Sequence, residues 1–131
     1  MVGIILVSHG DMALGMVNSA EMFFDSSALQ QITTVSLYPE MNTEEFDELL
    51  SMAIEEVDRG DGVVILADLI GGTPCNRAAH MCSAKVRVIT GMNLSLLVEL
   101  IGSRNAPLKI DSLIKTAQGS ILNYNKLLES R

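Results

Sequence analysis

The feature that most restricts the fold of this chain is a regular alternation of strand-like and helix-like segments. Val2 to Val7 (VGIILV) is continuously apolar and rich in β-branched residues, the pattern of a strand covered on both faces. From Ala13 the period turns helical, with Ala13, Met16, Val17, Ala20, Phe23 and Phe24 on one stripe. Gln31 to Leu37 predicts a second strand, closed by Tyr38-Pro39. Asn42 and Glu45 have capping-box spacing, and Phe46, Leu49, Leu50, Ala53, Ile54 and Val57 follow as an amphipathic helix that Gly60-Asp61-Gly62 stops. Val63 to Ala67 is a third strand, Pro74 suits the first turn of a helix over 75–83, and Lys85 to Thr90 is a fourth strand. Gly91-Met92-Asn93 then opens a helix with Leu94, Leu97, Val98 and Ile101 on one face, ended by Pro107. A short helix near 110–117 and an alternating piece near Ser120 to Tyr124 complete the pattern.

Strands and helices alternating through short loops predict an α/β domain, a doubly wound three-layer sandwich with a mainly parallel sheet. The length of 131 residues fits one such domain, 1–131, with no linker or repeat. Right-handed crossovers favour the strand order 2-1-3-4, which makes strands 1 and 3 neighbours where the chain reverses direction. Ligands of such folds bind in the crevice beyond the C-terminal ends of those strands. Composition narrows the classes further. Hydrophobic residues are 48% and charged ones 19% of the chain, a globular balance. Sixteen acids against nine bases give a net charge of −7, with no basic stripe to neutralise phosphates, so nucleic acid is not an expected partner. The longest apolar run, Gly62 to Ala67, is far short of the about 20 residues that span a bilayer. Cys75 and Cys82 are too few for a disulfide framework and are expected as small apolar side chains against the sheet, in a reduced, cytoplasmic setting.

The predicted crevice gathers chemistry. Strand 1 ends in Ser8-His9-Gly10, strand 3 in Asp68 followed by Gly71-Gly72-Thr73-Pro74, and strand 4 delivers Gly91-Met92-Asn93-Leu94. A carboxylate at the end of the neighbouring strand can hold one nitrogen of His9 and present the other to react. Gly71 and Gly72 leave peptide amides uncovered, and the Thr73 hydroxyl adds a donor, an arrangement suited to phosphoryl oxygens. His9 is therefore expected to act as a nucleophile toward phosphorus, with Asp68 orienting and stabilising it. Met12, Met92 and Asn93 are expected at the rim, where a partner would dock. His80, Asp11 and the acidic group Glu44, Glu45, Asp47 and Glu48 are expected to be structural or solvated. No cluster of cysteine and histidine surrounds the site, no Walker A sequence occurs, and the glycine spacing is not that of a dinucleotide loop. Neither a metal nor a cofactor is expected.

These residues carry a resemblance. Ser8-His9-Gly10, the loop Asp68-Leu69-Ile70-Gly71-Gly72-Thr73-Pro74 with Asn76, and Gly91-Met92-Asn93-Leu94 resemble, in order and spacing, the enzyme IIA domain of the mannose family of the bacterial sugar phosphotransferase system. The resemblance covers essentially the whole chain. It implies a cytoplasmic phosphocarrier that accepts a phosphoryl group on His9 from HPr, itself charged by enzyme I. His9 would pass it to a IIB protein or domain, which serves the membrane IIC and IID components. It also implies that His9 reacts through Nε2 while Asp68 accepts a hydrogen bond from Nδ1. The piece near Ser120 to Tyr124 would be an antiparallel strand exchanged in a homodimer. Ser95 stands where the family often has proline, a departure that touches the local loop and neither His9 nor Asp68. The same resemblance admits a IIA-like regulatory domain of a transcription activator controlled by this system. The related phosphotransfer subunit of dihydroxyacetone kinase is less similar after the histidine. A non-enzymatic binding module would instead predict no phosphate on His9. Which sugar is moved is not written in this chain.

Overall fold

The structure, a computed structural model, describes residues 1–130. The chain runs β1 (Gly3–His9), α1 (Met12–Ala20), β2 (Ile32–Leu37), α2 (Thr43–Val57), β3 (Val63–Ala67), α3 (Thr73–Ala79), β4 (Val86–Ile89), α4 (Leu94–Ser103), α5 (Ile110–Gln118) and α6 (Tyr124–Glu129). The strands form one parallel sheet in the order β2-β1-β3-β4. This is the predicted topology. Its cause is visible in the two central strands, whose residues Ile4–Val7 and Val63–Ala67 are buried throughout and need an apolar layer on each face.

Side chains alternate across the sheet and so build two cores. Ile4, Leu6, Val64, Leu66 and Ile89 pack with Ala13 of α1, Leu97 and Leu100 of α4 and Leu113 of α5. Ile5, Val7, Val35, Ile65 and Val86 face the other way, onto Phe46, Leu50 and Ala53 of α2 and Cys75 and Ala78 of α3. Both α2 and α4 start as their sequences suggest. The Asn42 side chain accepts from the Glu45 N–H at 2.8 Å, and that of Asn93 accepts from Leu96 at 2.9 Å. At the far end of α4, Arg104 is buried, donating through Nη2 to the Ala28 and Gln30 carbonyls, which ties α4 to the α1–β2 connection. Burial alone pulls this guanidinium below its ordinary pKa.

The periodicities overshoot in places. The α1 stripe ends with the helix at Ala20, leaving Phe23 exposed while Phe24 packs against the core. Leu49 of the α2 stripe is also exposed. The helix expected over 75–83 stops at Ala79, where the N–H groups of His80 and Met81 turn back three residues to the Arg77 and Ala78 carbonyls. Cys82 therefore lies on the surface, and only Cys75 meets the sheet. The alternating piece near Ser120 to Tyr124 forms no strand within the chain. The Asn123 side chain accepts from the Lys126 N–H at 3.3 Å and starts α6 at Tyr124, so its helix cap overrides the two-residue pattern. Exchange of this segment between two chains belongs to the proposed assembly.

Candidate active site

Because β1 and β3 pair in parallel, their C-terminal ends bring His9 and Asp68 together. One carboxylate oxygen of Asp68, Oδ2, accepts from the His9 backbone N–H at 2.9 Å and lies 2.7 Å from His9 Nδ1. The other, Oδ1, accepts from the Leu69 N–H at 2.9 Å. Burial pushes the Asp68 carboxyl up, but the donors from the His9 backbone, the His9 ring and Leu69 outweigh it and hold it below the usual carboxylate range. An ionised carboxylate only accepts, so Nδ1 is the donor in this contact, and Nε2 is the ring nitrogen that Asp68 leaves unengaged. The Asp68 side chain is 5% exposed and that of His9 is 50% exposed. A fixed carboxylate thus backs a half-exposed imidazole.

The flanking loops set the ring in place. Ser8 is fully buried, and its hydroxyl accepts from the Ala13 N–H at 2.8 Å, capping α1 from the strand that bears His9. It donates in turn to the Gly10 carbonyl at 3.3 Å. Gly71 turns with φ +84°, and Gly72 then runs so close to the ring that a Cβ there would lie 2.7 Å from His9 Cε1 and 3.5 Å from Nε2. Thr73, next in the chain, is exposed and opens α3. A bidentate pair, Arg77 Nε and Nη2 to Asp47 at 2.8 and 2.6 Å, ties α3 to α2 behind the loop.

Of the expected rim residues, Met12 is exposed but Met92 is not. Gly91 turns with positive φ, the Met92 N–H donates to the Ala67 carbonyl at 2.9 Å, and the Met92 side chain enters the core beneath α4. Asn93 spends its side-chain oxygen on capping α4. His80 donates through Nδ1 to the Asn76 carbonyl at 2.8 Å. Asp11 does not cap α1, although it stands at its start; it accepts from the Tyr38 hydroxyl at 2.6 Å, which raises the Tyr38 pKa. The cap by Ser8 and the Tyr38–Asp11 bond were not foreseen from sequence. A serine just before the His-Gly turn was the visible signal for the first, and nothing local announces the second. Among the described residues no group of three or more His, Cys, Asp or Glu could hold a metal ion.

The chain is thus a parallel three-layer α/β protein whose central strand ends on a half-exposed, carboxylate-backed imidazole at the C-terminal edge of the sheet. The family described as "PTS system fructose IIA component" (EIIA-man) matches residues 3–118. The chain therefore belongs to the mannose/fructose IIA family of the sugar phosphotransferase system. It is 28% identical over 118 residues to the mannose-specific EIIAB component of Escherichia coli K12, covering 88% of this chain and 36% of that protein. The match thus spans about a third of the length of that relative. It is 26% identical to the fructose-specific EIIA component of Bacillus subtilis 168, over 79% of this chain and 71% of that one. The crystal structure of the PTS IIA protein associated with the fucose utilization operon of Streptococcus pneumoniae superimposes with a TM-score of 0.86 at 34% identity, covering 98% of this chain and 99% of that one. No helix among the described residues is long and apolar enough to cross a membrane.

Proposed function

We propose that this protein is a cytoplasmic phosphocarrier that takes a phosphoryl group from phosphorylated HPr onto His9 and gives it to a IIB component. The carrying observation is the 2.7 Å contact between His9 Nδ1 and the buried Asp68, which leaves Nε2 as the free nucleophile. The Nε2 lone pair attacks phosphorus, an N–P bond forms at His9, and the N–P bond to the donor's phosphohistidine breaks. The donor imidazole departs with that electron pair. Nδ1 keeps its proton throughout, and Asp68 stabilises the positive character that the ring gains. Transfer onward to IIB is the same step with the roles exchanged.

Gly71, Gly72 and Thr73 are the groups we assign to the phosphoryl oxygens, supported by the approach of Gly72 to the ring, so close that a Cβ there would clash with it. Met12 is assigned to the docking rim on its exposure; Met92 and Asn93 act by holding the loop. The IIB acceptor would serve membrane IIC and IID partners. A homodimer formed through the C-terminal segment is supported by the exposed Ile121, Leu122, Tyr124, Leu127 and Leu128. The test is labelled phosphoenolpyruvate with enzyme I and HPr. The protein takes up label and the His9→Ala variant takes up none; full labelling of that variant would overturn the assignment.

A further inference from the structure

The two edges of the sheet are not alike. The β4 edge carries Arg87 within its four residues, whereas β2, Ile-Thr-Thr-Val-Ser-Leu, has neither charge nor proline over six. Natural edge strands are commonly guarded by such residues against pairing with another chain. The β2 edge lacks that guard. Ile4 N–H donates to Gln31 at 2.9 Å and Gly10 N–H to Leu37 at 2.8 Å, which fixes the phase of the β1–β2 ladder. With a period of two, Gln31, Thr33, Val35 and Leu37 turn their backbone groups to β1, and Ile32, Thr34 and Ser36 turn theirs outward.

A groove flanks this edge on each side. One, of about 650 Å³, lies between β2 and α1 and is lined by Leu14, Val17, Thr34, Asp11 and Glu21. The other, of about 320 Å³, lies between β2 and α2 and is lined by Met41, Leu49, Met52, Tyr38 and Glu56. Leu14, Leu49 and Met52 are exposed by 50%, 44% and 65%. Acids line both grooves, and no lysine or arginine lines either.

We propose that the β2 edge is a docking site for an extended, basic segment of another protein. That segment would pair its backbone with Ile32, Thr34 and Ser36, lay apolar side chains into the two grooves and set its cations against Asp11, Glu21 and Glu56. The charge decides between occupants: a second copy of this chain would bring the same acids face to face with these. The proposal does not rest on phosphoryl transfer at His9.

The test is a titration of the isotope-labelled protein, observed by its amide resonances, with a short alternating Lys/Val peptide and with its Glu/Val counterpart. The Lys/Val peptide shifts the Ile32, Thr34 and Ser36 amides, and the Glu/Val peptide does not. Charge reversal at two exposed sites, Glu21→Lys with Glu56→Lys, weakens the Lys/Val peptide about tenfold or more. Thr34→Pro removes an outward N–H without touching the β1 ladder and abolishes binding. The proposal is overturned by equal response to both peptides, or by no shift of these amides at millimolar peptide. Retained affinity in the charge-reversed protein overturns it too, as does self-association that perturbs the same amides in the absence of peptide.

Discussion

Replacing Gly72 with alanine tests the geometry of the candidate site at the cost of a single methyl group. The new Cβ would stand 2.7 Å from His9 Cε1, about 0.7 Å inside ordinary contact, so the ring has to move by roughly that amount. Gly72 has φ −81°, which alanine adopts without strain, and the half-exposed ring is free to swing outward. The fold should therefore survive, with stability changed by no more than about 1 kcal/mol. Swinging outward, however, lengthens the 2.7 Å contact with Asp68 and carries Nε2 away from the Gly71-Gly72-Thr73 loop. A misplacement approaching an ångström costs on the order of 100-fold in a reaction that depends on alignment. The assay is rapid-quench phosphorylation by phosphorylated HPr, with a thermal melt run beside it. An unchanged melt with transfer slowed about 100-fold is expected. Transfer at the unmodified rate would refute the reasoning, because the ring would then not need the space that glycine leaves.

Three other substitutions probe the frame around the site. Asp68→Asn should slow phosphorylation of His9, and its stability deficit should depend on pH. Because the folded carboxyl titrates below its ordinary range, its stabilising contribution is present at neutral pH and is lost as pH falls below about 4. Urea midpoints across a pH series should show the gap to the unmodified protein closing on acidification; a gap that widens would contradict the assignment. Ser8→Ala removes the acceptor for the Ala13 N–H and should cost about 1–2 kcal/mol in chemical denaturation while also slowing transfer. Phe46→Ala empties a fully buried position between α2 and the sheet and should cost about 3–5 kcal/mol, with the transfer chemistry intact in the fraction that remains folded.

The central part of this molecule was legible because its signals are local or follow from general topology. The unbroken apolar runs at β1 and β3 mark strands covered on both sides, and right-handed crossovers then make them neighbours. Once they are neighbours, His9 and Asp68 must meet, and the 2.7 Å contact follows from two strand ends in register. What escaped depends on long-range geometry. The Tyr38–Asp11 bond joins residues 27 apart through the placement of β2 beside β1. Met92 looked like a rim residue because it sits in a Gly-Met-Asn loop, yet its N–H extends the pairing beside Ala67 and its side chain follows into the core. At the C-terminal piece two local signals compete, a two-residue alternation and an asparagine cap, and within one chain the cap prevails.

The most direct test of the central claim is to identify which atom carries the phosphoryl group. Protein labelled with nitrogen-15 in histidine, phosphorylated through enzyme I and HPr, can be read by phosphorus and nitrogen NMR without denaturation. The account predicts one phosphohistidine, with phosphorus bonded to Nε2 of His9 and a proton retained on Nδ1 beside Asp68. Phosphorus on Nδ1 of His9, or on His80, would contradict it.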